Sequence, residues 1–421
     1  MRAFVRSYAS AAVLLLTAVL ASGQEKKTPV TGKADAELAS FDEMMLKFME
    51  DNQVPGAALA VTKDGRLVYA RGFGHADTQA GLPVEPAMRF RIASISKPIT
   101  AAMILRLVEL GLIRLDDNPF DVLKIALPAN SDARLRKVTV RQLLHHTAGW
   151  DRAVSFDPMF RPVVIAKDQG VKAPAGPGHV IGYMTKQKLD FNPGERYAYS
   201  NFGYCILGRL IEKATGQSYD AAVQKHLFNP LGIKNTELGH TLTTAKNEVK
   251  YYDDKKRTGA AVMGPSLGKP VPLPYGAWHL EAMDSHGGWI SSAPDLVRFA
   301  SAFDKPDACK VLKPESIKTM FARPEGLAGH DKDGKAKDVF YGCGWQVRTL
   351  GREDRVNTWH TGSLDGTSTI LVRRVDGLCW AVLFNTRNNA KGETLSGLID
   401  PLVHKAADKV KRWPDRDLFG K

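Results

Sequence analysis

Four cysteines among 421 residues are too few to staple a chain of this length, so the fold must rest on an apolar core rather than on a disulfide framework. Long apolar runs are missing beyond the first two dozen residues, which leaves nothing of the roughly 20 residues needed to hold the chain across a bilayer. No segment is biased enough for a coiled coil, a collagen-like repeat or a long disordered tail, and no internal repeat is present. Acidic residues are outnumbered, 45 against 58 Lys and Arg, giving a formal charge of +13. That excess invites a nucleic-acid reading, but the densest basic runs, Lys255 to Arg257 and Lys405 to Arg412, are short. Neither aromatic interleaving nor zinc-ligand spacing accompanies them, so the charge reads as a solvated surface and nucleic acid is not an expected partner.

What the chain has at its start is a targeting pattern. Arg2 and Arg6 form a basic head, Ala11 to Leu20 is an apolar run interrupted by Thr17, and Ala21-Ser22-Gly23 supplies small residues before Gln24. The order basic, apolar, small reads as a cleavable secretory signal over residues 1–23, followed by a polar linker over 24–35. The expected product is secreted or periplasmic, with no stable membrane insertion after cleavage. In such a compartment Cys343 and Cys379, both in strand-like segments, could pair, while Cys205 sits in an apolar helical run; free thiols are the expected state.

Leu38, Phe41, Met45, Phe48 and Met49 fall at helical spacing, which predicts an amphipathic helix over Ala36 to Asn52. Ala57 to Val61 and Leu67 to Ala70 are strand-like around Asp64-Gly65, a hairpin pattern. Ala101 to Leu110 is apolar on nearly every face and predicts a buried helix. The middle is mostly helical, with Val140 to His145, Phe202 to Ala214 and Tyr219 to Leu227 as elements. Ser292-Ala293-Pro294-Asp295 has the form of a helix cap running on to Phe303. Strands return at Gly344 to Arg348, Ser368 to Arg373 and Leu378 to Thr386, and an amphipathic helix follows over Leu395 to Lys411. Because isolated hairpins are unstable, early and late strands are expected to share one antiparallel sheet covered by the first and last helices, an α/β (α+β) fold with the helical middle as a second lobe.

Chemistry concentrates in three short stretches. Ser94-Ile95-Ser96-Lys97 puts a hydroxyl and an amine three residues apart on one helix face. An amine beside apolar neighbours loses hydration, which lowers its pKa from about 10.4 and lets it take the serine proton. Chance supplies such a pattern easily, and Ser266-Leu267-Gly268-Lys269 is a second one that also fits a nucleophile elbow; Pro270, Pro272 and Pro274 deny it the helix an elbow needs, so it reads as loop. Tyr199-Ser200-Asn201 offers a phenol for proton relay and an amide for a substrate carbonyl. His360-Thr361-Gly362-Ser363 precedes the strand-like Ser368 to Arg373, whose edge could offer backbone groups to a substrate. His145 and His146 read as structural or loop residues rather than metal ligands, since no convergent ligand set stands nearby. Trp150, Trp289 and Trp345 are equally suited to walling a cleft and to packing a core.

The ordered triplet resembles the penicillin-recognising serine hydrolases, which carry S-x-x-K, S-D-N or Y-x-N, and K-T-G motifs. The version with Tyr is similar to class C β-lactamases, D-Ala-D-Ala carboxypeptidases, D-aminopeptidases and family VIII esterases. Leu143 to Gly149, Asn229-Pro230-Leu231-Gly232, Gly287 to Leu296 and Tyr341 to Trp345 add to the likeness, which spans about Ala36 to His404. It implies a β-lactamase/transpeptidase-like hydrolase over 36–412, with a discontinuous α/β part (about 36–95 and 286–412), an all-helical lobe (about 96–285) and the site between them. It further implies Ser94 as nucleophile, Lys97 and Tyr199 as acid-base groups, and Asn201, His360, Thr361, Gly362 and Ser363 as substrate-binding residues. The backbone N–H groups of Ser94 and Ser363 would form an oxyanion hole. No cofactor or metal is implied, and the partner would be a small-molecule or peptide substrate. One position departs: His360 stands where penicillin-binding members have Lys. An unperturbed imidazole is only partly charged near pH 7, so a substrate carboxylate loses a charge-assisted hydrogen bond of about 1.5 to 3 kcal/mol, favouring neutral esters or amides. A substrate-contacting His360 would also make activity change between about pH 5.5 and 7.5. The alternative reading is a catalytically silent binding or sensor protein on the same scaffold.

Overall fold

In the first helix, Ala39–Asn52, the side chains of Phe41, Met45, Phe48 and Met49 fall on one buried face, and the left-handed Gln53 ends it. These residues, in a computed structural model that describes residues 27–253 and 257–420, lie against the sheet that the hairpin begins. The expected secretory signal and the start of the linker fall outside the described residues. Gly56–Lys63 and Arg66–Asp77 form the hairpin, turning at Asp64 and Gly65, both with positive φ (53° and 81°), the conformation a two-residue turn of this hand demands.

Among the described residues the main sheet has nine strands and is antiparallel throughout. From one edge its order is Val30–Thr31, Arg66–Asp77, Gly56–Lys63, Leu378–Phe384, Thr367–Arg373, Val356–Leu364, Gln346–Thr349 and Val339–Tyr341, with Leu82–Pro83 beside Arg66–Asp77. The early hairpin thus pairs with the late strands, as expected. The period of two divides the side chains between two cores. Ala57, Leu59, Val61, Ile370, Val372, Trp380 and Val382 face the first helix and the last, Leu395–Asp408. Ala58, Ala60, Leu371, Ala381 and Leu383 face the larger core, where the helix Ala293–Ser301 packs. Ser292 caps that helix by accepting from the Asp295 N–H at 3.3 Å.

The helix Ser96–Glu109 is buried on almost all sides and packs against Asn201–Thr215 and Pro314–Met320. The helical middle also carries short strands that the sequence did not announce. Thr258–Ala260 pairs with Pro270–Pro272, and Trp289–Ser291 pairs with both Phe90–Arg91 and Thr236–Leu238. The latter arrangement ties the chain entering the serine turn to the chain leaving His286. Cys205, Cys309, Cys343 and Cys379 are free thiols; Cys343 meets the His145 imidazole at 3.3 Å, and Cys379 lies beside Asp304. Trp150, Trp289 and Trp345 are buried among aromatic neighbours, away from the cleft that holds Ser94. Ser266 is exposed in a turn before a strand, as its following prolines require.

One expectation is corrected. The strand Thr367–Arg373 is interior, paired on both sides, and the His360 motif lies within its own strand, Val356–Leu364. That strand's buried positions include Thr358, His360 and Gly362, so its apolar alternation is too weak to read from sequence. Its outer neighbour, Gln346–Thr349, pairs only with Val356 to Trp359. The edge that can offer backbone groups is therefore the stretch His360 to Leu364 itself.

Candidate active site

Ser94 sits on a single 3-10 turn, Ala93–Ile95, that feeds the buried helix, and Ala93 ahead of it holds a left-handed φ of 45°. Such a conformation is costly for a residue with a side chain and persists where its surroundings fix it. Here Thr367 and Thr369 donate their hydroxyls to the carbonyls of Arg91 and Ile92 at 2.8 and 3.1 Å, clamping the chain just before the serine. Gly362 makes the approach possible: a Cβ there would stand 2.0 Å from the Ile92 carbonyl oxygen. The serine turn and the His360 strand thus touch through backbone.

Lys97, one turn on, has no exposed surface. Its Nζ lies 3.2 Å from Ser94 Oγ, 2.8 Å from Asn201 Oδ1 and 2.8 Å from the His286 carbonyl oxygen. Burial pushes the amine well below its ordinary pKa; Asp157 opposes that shift and Arg152 adds to it. An unprotonated amine has two N–H bonds and one lone pair. Asn201 Oδ1 and the His286 carbonyl can only accept, so they take both hydrogens and the lone pair is left facing the Ser94 hydroxyl.

Each partner is held from its own element. Ser200 caps the helix Asn201–Thr215, its hydroxyl accepting from the Gly203 N–H, which fixes Tyr199 just before that helix and Asn201 as its first residue. Gly208 on the same helix leaves room for Ser285, whose Oγ would be 2.5 Å from an added Cβ, and so brings the His286 carbonyl to Lys97. The Tyr199 ring lies 4.6 Å from Nζ, and burial raises its phenol above the ordinary range while its contact with Ser94 opposes the rise. Tyr199 is therefore a neutral hydroxyl beside the serine.

On the sheet wall, His360, Thr361 and Ser363 line the same cleft, a cavity of about 550 Å³ that also holds Ser94, Tyr199 and Asn201. Gly362 is the spacer under it. His360 is 4% exposed. Its Nδ1 meets the Thr361 carbonyl oxygen at 2.7 Å, so that nitrogen carries the hydrogen and Nε2 accepts from the Tyr341 hydroxyl at 2.9 Å. Burial and the nearby Lys97 bring its imidazole down to about 3. Both ring nitrogens are engaged within the protein and burial holds the imidazole well below its ordinary range, which speaks for a neutral His360 on the cleft wall rather than for an acid-base group titrating near neutrality.

Sequence reasoning missed several neighbours. Asp157 accepts from Asn201 Nδ2 at 2.7 Å; its only local signal was a cap ahead of Pro158, which speaks of a turn rather than of chemistry. His286 contributes a backbone carbonyl, a group no side-chain pattern reveals. Arg152 stacks 5.0 Å over the Tyr199 ring, and Arg387 donates to Ser363 Oγ at 3.0 Å and to Asp365 at 3.1 Å. These two cations keep positive charge in the cleft despite the missing lysine. His146, expected in a structural or loop role, packs its ring 4.4 Å from that of Tyr199 and accepts the Ser200 N–H at Nδ1, so it steadies the second motif. Phe160, Trp278, Met283 and Leu364 form the apolar side of the cleft.

An antiparallel sheet backed by terminal helices, with a serine and a buried lysine at the junction with a helical lobe, defines the β-lactamase/transpeptidase-like fold. The chain belongs to the beta-lactamase family, whose model matches residues 41–402. Penicillin-binding protein 4 of Amycolatopsis lactamdurans is 31% identical over 293 residues, 67% of this chain and 69% of that protein. The octameric penicillin-binding protein homologue from Pyrococcus abyssi shares the fold with a TM-score of 0.65 and 26% identity, over 87% of this chain and 77% of that one. The D-amino acid amidase from Ochrobactrum anthropi SV3 has the same architecture at 20% identity and a TM-score of 0.65, covering 88% and 98% of the two chains. Among the described residues no helix is long and apolar enough to cross a membrane.

Proposed function

We propose that this chain is an exported serine hydrolase that forms an acyl-enzyme on Ser94 and turns over ester or amide bonds. The observation that carries the reading is the hydrogen-bond accounting at Lys97, which leaves a lone pair directed at a reactive hydroxyl. Ser94 Oγ bonds to the substrate carbonyl carbon as its proton passes to Lys97 Nζ. The developing oxyanion lies between the backbone N–H groups of Ser94 and Ser363, each such donor contributing about 3 to 4 kcal/mol in comparable acyl transfers. The carbon–heteroatom bond then breaks, and the departing group takes its proton from Lys97 through the Tyr199 hydroxyl. Water attacks the ester on Ser94 by the reverse route, restoring the serine. Tyr199 acts as relay rather than first base, because its phenol is held protonated.

The substrate follows from the walls. With His360 neutral, the lysine position of the third motif carries no charge, and the Arg387 guanidinium beside Ser363 is already paired with Asp365, so esters or amides without a carboxylate at that point are favoured. The apolar side formed by Phe160, Trp278, Met283 and Leu364 suits a hydrophobic acyl or leaving group. The basic, apolar and small order of residues 1–23 supports export. Intact-mass measurement after treatment with a fluorophosphonate tests the reading. A single adduct on the peptide bearing Ser94, absent in Ser94→Ala and accompanied by p-nitrophenyl ester turnover, is expected. No adduct and no turnover would favour the silent binding protein instead.

A further inference from the structure

Asp157 belongs to none of the three motifs, yet among the described residues it is the carboxylate joined to the lysine through a single intervening side chain, Asn201. It is almost wholly buried. Its Oδ2 accepts from Asn201 Nδ2 at 2.7 Å, its Oδ1 from the Met159 N–H at 3.1 Å, and Arg152 stands 3.9 Å away. An asparagine amide can turn over and exchange its oxygen and nitrogen at little cost unless a neighbour discriminates between them. A carboxylate discriminates strongly: it accepts and does not donate, so the NH2 end must face Asp157 and the oxygen must face Lys97. Were the amide reversed, its NH2 would approach the lysine, compete for the lone pair and leave one of the amine's two hydrogens unpartnered, the other staying on the His286 carbonyl.

Resting on the hydrolase reading, we propose that Asp157 is a positioning residue for Lys97: it fixes the Asn201 amide, and through it aims the lysine lone pair at Ser94. It also sets the charge the amine experiences. The groups facing Lys97 are Asp157, of opposite sign, and Arg152, of like sign. His146, His286 and His360 are all held neutral by burial. Tyr199 and Tyr204 present rings 4.6 and 5.7 Å from Nζ, and both phenols are held protonated. Asp157 itself is pushed up by burial, against which Asn201, the Met159 N–H, Arg152 and Lys97 favour its charged form. Among these groups the carboxylate alone supports a proton on Lys97, so its removal lowers the lysine pKa further.

The test measures the second-order rate of fluorophosphonate labelling at Ser94 against pH for the full-length wild type, Asp157→Asn and Asp157→Ala. Activity requires an unprotonated amine and therefore rises with pH through the Lys97 pKa. In Asp157→Asn the charge is lost and the acceptor kept; its acid limb is expected about one unit lower in pH, with the maximal rate down about tenfold. In Asp157→Ala the acceptor is lost as well, and the maximal rate falls further, by about a hundredfold, the scale of a misplaced catalytic group. Partial unfolding lowers the amount of label incorporated and leaves the position of the limb untouched, so a poorly folding variant still reports. A wild type that labels at Ser94 beside an Asp157→Asn variant with an unmoved limb overturns this proposal alone. An unlabelled wild type overturns the hydrolase reading, and this proposal with it.

Discussion

The two walls of the cleft each bury a nitrogen base, and the pair shows that burial alone does not decide what a base can reach. Lys97 and His360 are both nearly or wholly inaccessible, and both are shifted towards the neutral form by loss of hydration. They differ in where the lone pair goes. On the lobe wall two acceptor-only oxygens can take both hydrogens of the unprotonated amine, and its lone pair then faces Ser94. On the sheet wall the Thr361 carbonyl takes the imidazole hydrogen and the Tyr341 hydroxyl donates to its lone pair, so both are already engaged within the protein.

The comparison breaks most readily at the lobe wall. Lys97→Arg preserves charge and approximate length but cannot release a proton, so ester turnover should fall about 10³-fold or more, with Ser94→Ala at least as severe; residual rates close to wild type would remove the general-base role. At the sheet wall, His360→Lys introduces the cation that His360 does not supply. The preference for a carboxylate-bearing cephalosporin over a neutral ester should rise about tenfold, as one charge-assisted hydrogen bond predicts. An unchanged ratio of kcat/KM values would mean that Arg152 and Arg387 already serve the carboxylate.

The walls must also touch. Gly362→Ala forces a Cβ against the Ile92 carbonyl, and overpacking of this kind should cost about 1 to 3 kcal/mol in denaturant unfolding. A variant as stable as wild type would show that the serine turn and the strand can separate freely.

The buried imidazoles supply a smaller effect that is read through pH. His360, His145, His146 and His286 have folded pKa values below the unfolded value of about 6.5, at about 3 for His360 and about 4 for His145. The unfolded chain therefore binds protons that the folded one refuses, and stability is lost as pH falls from about 6.5 towards those values. Each such group steepens the slope by about 1.4 kcal/mol per pH unit. His360→Gln should reduce that slope by roughly one group's share; an unaltered slope would mean that His360 is charged in the folded state. Ser266→Ala, in the exposed turn, should change neither wall, and turnover should stay within about twofold, as for a surface substitution.

Much of this was legible in the sequence wherever a local pattern and a tertiary role coincide. The helical spacing of Phe41, Met45 and Met49, the Asp64-Gly65 turn and the Ser292 cap each carry their own instruction. The strand Val356–Leu364 carries little, because its inward positions are occupied by Thr358, His360 and Gly362, which serve the cleft rather than the core. The site divides in the same way. Ser94, Lys97, Tyr199 and Asn201 announce themselves through spacing, and the fold brings Ser94, Lys97 and Asn201 within hydrogen-bond reach. Asp157 and the His286 carbonyl do not announce themselves: one resembles an ordinary cap and the other is backbone. His360 was legible as a position but not as a state, since its protonation depends on Tyr341 and on burial that no local motif encodes.

The most direct test is the titration of Lys97 itself, followed by NMR at its ε carbon and assigned by the signal missing in Lys97→Met. The account predicts that this lysine loses its proton well below the pH at which the exposed lysines titrate. An ε carbon that titrates together with those lysines, near pH 10.4, would show a charged amine with no lone pair for Ser94.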